Sequence, residues 1–223
     1  MRDLLPAVEI TTNHNPIASV IWLHGLGADG NDFVPIIKEL NLPDQFPVRF
    51  IFPHAPMRAV TINAGHVMRA WYDLTMLGGN IGGHNESDIR QSQKSIEMFI
   101  EREVERGVPS EKIFLAGFSQ GGVIALQTGL RYQKKLGGII ALSTYLTLID
   151  SLSSEQSEAN RSTPIYMAHG SHDPVIPIHI GTLSKNELVR LGFSVDWHEY
   201  PMQHSVCMEE IEAISGWLQK RLK

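Results

Sequence analysis

Residues 113–123 have the sequence IFLAGFSQGGV, in which a short apolar run precedes Ser119 and a glycine lies two residues from it on either side. Ile113–Ala116 is predicted to be a buried strand, since continuous Ile, Leu and Phe suit strands covered on both faces. A helical pattern continues from Val123. A strand, a G-x-S-x-G turn and a helix form the context of a nucleophile elbow, which lifts the serine hydroxyl above the sheet. The alternative is a serine that only caps the helix.

The glycines around Ser119 suit so sharp a turn. Gly117 and Gly121 leave out the side chains that would crowd it, and Gly122 allows close packing of helix against strand. The serine would then stand at a helix N-terminus, whose dipole favours developing negative charge.

Apolar runs of strand length alternate with helical patterns along the chain. The predicted strands are Ser19–Leu23, Arg49–Phe52, Ile113–Ala116, Gly138–Leu142, Ile165–Ala168 and Val195–Tyr200, with Val8–Thr12 as an edge strand. Helical spacing covers Phe33–Leu40, Ile89–Val104, Val123–Leu130 and Cys207–Leu222. This alternation predicts a doubly wound, mostly parallel α/β sheet with helices on both faces. We expect one domain over residues 1–223.

Two segments break the alternation, at about residues 53–85 and 144–164, and are predicted to be irregular loops. The first is rich in apolar side chains, namely Met57, Met68, Trp71, Tyr72, Met76 and Leu77. They either cover the sheet edge or form the lip of a substrate pocket. Gly78-Gly79 and Gly82-Gly83 are predicted to let this lip open.

Composition excludes several function classes. The net charge is -5 and no long basic run occurs, which argues against nucleic acid as a partner. No apolar stretch reaches the roughly 18 residues of a membrane span. The lone Cys207 allows no internal disulfide, and the apolar N-terminal stretch is cut short of a secretory signal, so we expect a soluble, cytoplasmic protein. No dinucleotide, phosphate-loop or zinc motif occurs, so we predict no cofactor and no metal.

A serine nucleophile needs a base and an acid, which follow it in the order acid, then histidine, in this kind of fold. His204 lies just past the last predicted strand and is the candidate base. Asp173 follows the strand before it and is the candidate acid, with Asp150 as the rival. Asp196 lies within a strand and suits the role less well.

The oxyanion of such a reaction needs backbone N–H donors. One is expected at Gln120, the residue after the serine, and the other at Leu26 in the glycine-rich loop His24–Gly27.

Taken together, these motifs resemble the phospholipase/carboxylesterase family, which includes carboxylesterases and acyl-protein thioesterases. The segments around Tyr145 and over His204–Cys207 resemble bacterial members more closely. The matching pieces are His24–Gly30, Arg69–Asp73, Gly117–Gly122, Leu142-Ser143, His169-Gly170, Asp173-Pro174 and Met202–Ser205. The resemblance implies an α/β-hydrolase fold and a cofactor-free esterase. It also implies that Trp71, Tyr145 and Leu146 line the acyl site.

The leading functional prediction is a carboxylesterase that cleaves small esters of short to medium acyl chains through an acyl-enzyme on Ser119. One alternative is an acyl-protein thioesterase or lysophospholipase. Another, from a different class, is a catalytically silent binding protein on the same fold. The sequence leaves open whether the chain forms a homodimer.

Overall fold

A seven-stranded sheet forms the centre of the fold in a computed structural model that describes residues 4–77 and 80–223. The strands of the structure are β1 (Ala7–Thr11), β2 (Ala18–Leu23), β3 (Val48–Pro53), β4 (Met57–Val60), β5 (His66–Arg69), β6 (Leu74–Leu77), β7 (Asn80–His84), β8 (Ile113–Phe118), β9 (Gly138–Leu142), β10 (Ile165–Gly170) and β11 (Val195–Tyr200). The helices are α1 (Ile36–Leu40), α2 (Glu86–Glu105), α3 (Gln120–Arg131), α4 (Ile149–Glu155), α5 (Ile178–Arg190) and α6 (Met208–Leu222).

The strand order of the central sheet is β1-β3-β2-β8-β9-β10-β11. Only the β1–β3 pair is antiparallel, and every other neighbouring pair is parallel. The prediction of a mostly parallel α/β sheet is therefore confirmed, and the architecture is that of an α/β hydrolase.

Helices cover both faces of this sheet because its strands are apolar on both sides. In β2, Val20 and Trp22 pack into the core under α1 and α6, whereas Ile21 and Leu23 pack into the core under α2 and α3. All four side chains are at most 1% exposed, as expected for a central parallel strand. Within the part of the chain that the structure describes, no helix is long and apolar enough to cross a membrane.

The sheet has a topological switch point between β2 and β8. From β2 the chain continues to β3 on one side, whereas β8 lies on the other side of β2. In open α/β sheets a crevice forms at the carboxyl ends of the strands at such a point, and ligands bind there. His24 follows β2 and Ser119 follows β8, so both stand at this crevice.

The two predicted irregular loops are more regular than expected. Residues 53–85 contain two antiparallel hairpins, β4–β5 and β6–β7, and Ala64 and Gly65 adopt the positive φ that the turn of the first hairpin requires. Residues 144–164 contain the helix α4. The proposed glycine hinge at Gly78-Gly79 lies outside the described residues.

Helix α5 was not predicted because its inner face gives a weak apolar period. The residues it buries are Gly181, Ser184 and Leu188. Two of the three are small, so the hydrophobic signal that marks an amphipathic helix is nearly absent.

A buried carboxyl group lies in the first turn of α6. Glu210 is 0% exposed, and neither of its carboxylate oxygens has a hydrogen-bond partner in the described part of the chain. Removal from water raises the pKa of Glu210 from its ordinary 4.5 to about 8. The folded protein therefore keeps a proton between these two pH values that the unfolded chain has already lost.

This raised pKa predicts a loss of stability as the pH rises. Between pH 4.5 and about 8, Glu210 lowers the free energy of unfolding by at most about 1.4 kcal/mol per pH unit. In Glu210→Gln that dependence disappears. Thermal denaturation should therefore show that the stability of the variant relative to the wild type is higher at pH 8 than at pH 6. Glu209→Gln is the matched control, since Glu209 is exposed and should not change the pH slope. An equal slope in all three proteins would contradict the prediction.

Candidate active site

Ser119 occupies a strained turn between β8 and α3. Its φ and ψ angles are 54° and -120°, a conformation that residues other than glycine rarely adopt. A Cβ atom on Gly117 would lie 2.3 Å from the backbone of Gly121, and one on Gly121 would lie 2.3 Å from the carbonyl oxygen of Leu23. The turn is therefore possible only with glycine at both positions, as the elbow motif requires.

His204 and Asp173 are joined by a hydrogen bond. The distance from His204 Nδ1 to Asp173 Oδ2 is 2.7 Å, and the Asp173 side chain is fully buried. Asp173 Oδ1 accepts hydrogen bonds from the backbone N–H groups of Val175 (2.8 Å) and Ile176 (2.9 Å). These donors fix the carboxylate with one oxygen toward the loop and the other toward the histidine.

The rival carboxylates lie elsewhere. Asp150 is exposed on α4, and Asp196 pairs with His198 at 3.0 Å on the sheet surface. Among the described residues, the carboxylate that contacts His204 is that of Asp173.

Ser119 and His204 face one cavity of about 370 Å³ at the switch point. Its other described lining residues are Gly25, Leu26, Ala28, Asp32, Ile62, Asn63, Tyr72, Leu74, Phe118, Gln120, Tyr145, Val175 and Ile176. Within the described chain no hydrogen bond joins the Ser119 hydroxyl to His204. Such contacts often form only when substrate binds.

Leu26 and Gln120 bring two backbone N–H groups to the same cavity. Gln120 is the first residue of α3, so its N–H has no partner within the helix. In the described part of the chain, neither N–H donates to a protein acceptor. The cavity therefore has two donors for a developing negative charge beside Ser119.

His24 holds the peptide unit that carries the Leu26 N–H. Its Nδ1 lies 2.7 Å from the carbonyl oxygen of Gly25, and its Nε2 accepts the N–H of Ala55 at 3.1 Å. The proton must therefore be on Nδ1, where it donates to Gly25. Burial lowers the pKa of His24 to about 4, so the ring is neutral near pH 7. Because one peptide plane contains the Gly25 carbonyl and the Leu26 N–H, fixing the first orients the second.

Trp71 is not among the described residues that line the cavity at Ser119, which corrects the prediction made for it. The side chain is 0% exposed in the core. Its indole N–H donates to the carbonyl oxygen of His24 (2.9 Å), and its backbone N–H donates to Gln120 Oε1 (2.7 Å). A buried indole needs a hydrogen-bond acceptor. Trp71 thus links the loop after β2 to the start of α3, the two segments whose N–H groups face the cavity.

The other two predicted acyl-site residues differ from each other. Tyr145 lines the cavity, where its hydroxyl lies 3.1 Å from that of Tyr72. Leu146 is not among the lining residues; it is 6% exposed, and its backbone N–H donates to Ser184 Oγ. Residues 53–85 supply Ile62, Asn63, Tyr72 and Leu74 to the wall, and of these only Tyr72 belongs to the predicted apolar lip.

Loss of the His24 hydrogen bond is expected to weaken oxyanion stabilisation. We expect His24→Phe to lower kcat by roughly 10–100-fold with little change in KM, since one misoriented donor costs somewhat less than a deleted one. His24→Asn can still donate to Gly25 and should keep most of the activity. Affinity for a boronic acid, which mimics the tetrahedral oxyanion, should fall in parallel with kcat. A loss of kcat with unchanged boronic acid affinity would show that His24 has only a packing role.

Comparison with known proteins identifies one family and several similar proteins. A model of the phospholipase/carboxylesterase family matches residues 6–222. Acyl-protein thioesterase 1 of Yarrowia lipolytica is 38% identical over 222 residues, 98% of each chain. Acyl-protein thioesterase 1 of Neurospora crassa is 38% identical and covers 98% of this chain and 91% of its own. The crystal structure of SOBER1 from Arabidopsis thaliana superimposes with a TM-score of 0.86 at 32% identity, covering 92% of this chain and 99% of that one.

These relatives are fungal and plant proteins, so the expected closeness to bacterial members is not borne out. The segments around Tyr145 and Cys207 that suggested a closer relation to bacterial members are short. The identity measured over the whole chain outweighs them.

Proposed function

The chain belongs to the phospholipase/carboxylesterase family, and on that premise we propose that it is an acyl-protein thioesterase with Ser119 as nucleophile. The family and its relatives show that the protein is a hydrolase of the thioesterase/carboxylesterase type. The names of the two fungal relatives favour the thioesterase alternative over the small-ester carboxylesterase that we first predicted. One observation supports the assignment of the site above all: His204, which is hydrogen-bonded to Asp173, lines the same cavity as Ser119.

In the proposed reaction, Ser119 Oγ attacks the carbonyl carbon of the thioester while His204 Nε2 takes the hydroxyl proton. The N–H groups of Leu26 and Gln120 stabilise the tetrahedral oxyanion. The C–S bond then breaks, His204 gives its proton to the leaving sulfur, and the acyl group stays on Ser119. Water, deprotonated by His204, then attacks the acyl carbon. The bond from that carbon to Ser119 Oγ breaks as His204 returns the proton to Oγ, and the carboxylic acid is released. Asp173 holds the tautomer of His204 and stabilises the imidazolium in both halves.

We place the acyl chain against the apolar wall formed by Ile62, Leu74, Tyr145 and Ile176. The cavity of about 370 Å³ is near the lower end of the roughly 300–1,000 Å³ typical of ligand sites. This size supports acyl chains of short to medium length. A cytoplasmic location and a single domain belong to the same proposal.

The proposal is tested with two peptides that differ in one atom, one carrying an S-acyl cysteine and the other an O-acyl serine with the same acyl group. We expect kcat/KM, corrected for spontaneous hydrolysis, to be at least about tenfold higher for the thioester, a difference of about 1.4 kcal/mol in transition-state binding. Ser119→Ala supplies the background rate. A preference for the oxygen ester would contradict this proposal and favour the carboxylesterase prediction instead.

A further inference from the structure

A second cavity of about 380 Å³ lies beside His204. Its described lining includes Phe33, Ile36 and Ile211, the carboxylates of Asp32 and Glu39, and the imidazole of His204. It shares Asp32, Phe118 and His204 with the cavity that contains Ser119. The Phe118 ring, whose centroid lies 4.7 Å from that of His204, belongs to the wall of both. The two cavities therefore meet at the imidazole.

The chemistry of the proposed reaction assigns different parts of the substrate to the two cavities. The N–H donors of Leu26 and Gln120 and the apolar wall at Tyr145 line the first cavity and not the second. His204 must protonate the leaving sulfur, so the leaving group has to lie on its side of the tetrahedral carbon. The second cavity, called here the leaving-group cavity, begins at that point.

The leaving-group cavity combines an apolar floor with negative charge. Its floor is formed by Phe33, Ile36 and Ile211, while Asp32 and Glu39 supply two carboxylates. Both residues are exposed, and neither carboxylate is among the ion pairs of the described residues. No lysine or arginine is among the described residues that line it, since Lys38 of α1 is exposed outside the lining.

The two carboxylates give this cavity a net negative charge within the part of the chain that the structure describes. Partial burial, together with the nearby charge of Asp29, raises the pKa of Asp32. A cation placed beside Asp32 would relieve both effects, because it would replace lost hydration and offset the repulsion between carboxylates.

We propose that the leaving-group cavity binds the peptide segment next to the acylated cysteine and selects a lysine or arginine there. This inference rests on the proposed function, since it assigns the cavity to the protein part of an acylated substrate. The aliphatic stem of the basic side chain would lie on the apolar floor while its charge approaches Asp32 and Glu39. An acidic neighbour would be repelled from the same position.

The test uses S-acyl peptides that differ only in the residue beside the cysteine, with Lys, Gln or Glu in turn. We expect the wild type to show kcat/KM roughly tenfold higher for the Lys peptide than for the Glu peptide at low salt, with the ratio shrinking as salt screens the carboxylates. The ratio should fall to about threefold in Asp32→Asn or Glu39→Gln, and near one in the double variant. Because a ratio within one protein is compared, a partly folded preparation does not alter it.

Glu158→Gln is the matched control, because Glu158 is an exposed carboxylate of the segment after α4 and does not line the cavity. It should keep the wild-type ratio. A wild type without preference, or a double variant that keeps the preference, overturns the inference. The same three flanking residues are also placed beside an O-acyl serine. If only oxygen esters are cleaved, the proposed thioesterase activity fails, while the Lys-to-Glu ratio of those esters still decides the role of the cavity.

Discussion

Replacement of Ser119 by alanine is expected to lower kcat by about 10⁴–10⁶-fold while the fold stays intact. The variant loses the atom that would carry the acyl group, and His204 has no hydroxyl to deprotonate. Alanine meets the same backbone strain at φ 54° as serine does, so the turn should form as before. Steady-state hydrolysis of an S-acyl peptide, with thermal denaturation as the folding check, gives the measurement.

Ser143 provides a matched control for this variant. It follows the neighbouring strand β9, is fully buried and has a φ of 43°. Ser143→Ala should therefore remove a hydroxyl from another turn with positive φ and change kcat by less than about tenfold, since no reaction step uses it. Near-normal turnover in a folded Ser119→Ala protein would assign the nucleophile elsewhere.

Asp173→Asn is expected to lower kcat by about 10⁴-fold. The reason lies in the two backbone donors at Oδ1, the N–H groups of Val175 and Ile176. They require an acceptor, so the asparagine oxygen must stay toward them and its NH₂ group must face His204. An NH₂ donor at His204 Nδ1 forces the imidazole proton onto Nε2, and the ring can no longer accept the proton of Ser119.

The matched control for the acid is Asp150→Asn, which removes the same charge from an exposed position on α4. We expect less than a twofold change in kcat for this variant. The pH dependence of kcat/KM, recorded for both variants, separates a lost base from a general loss of folding. If Asp150→Asn were the damaging change and Asp173→Asn the mild one, the acid would have to be reassigned.

The central strands and the order of the site residues could be predicted from sequence because both depend on local signals. Strands β8 and β9 are continuous apolar runs, and Ser119, Asp173 and His204 each follow the end of a strand. Chain order and strand ends together limited the candidates to few residues. The hydrogen bond between His204 and Asp173 then joins two residues selected on those grounds.

The contacts that sequence reasoning missed depend on how distant segments pack. Trp71 lies in a segment that reads as an exposed apolar lip, and only its fit between His24 and Gln120 makes it a core residue. The leaving-group cavity likewise forms where α1 packs beside α6, two helices separated by most of the chain. No periodicity within either helix indicates such a cavity, because its walls come from both.

An activated Ser119 should react with an electrophilic phosphonate, so covalent labelling measures its reactivity without any substrate. The protein is incubated with a fluorophosphonate, digested, and its peptides are analysed by mass spectrometry. We predict one phosphonyl adduct, on the peptide that contains Ser119, which is absent from Ser119→Ala and present in Ser143→Ala. A folded wild type that acquires no adduct would mark a catalytically silent protein, and an adduct on another residue would contradict the assignment of Ser119.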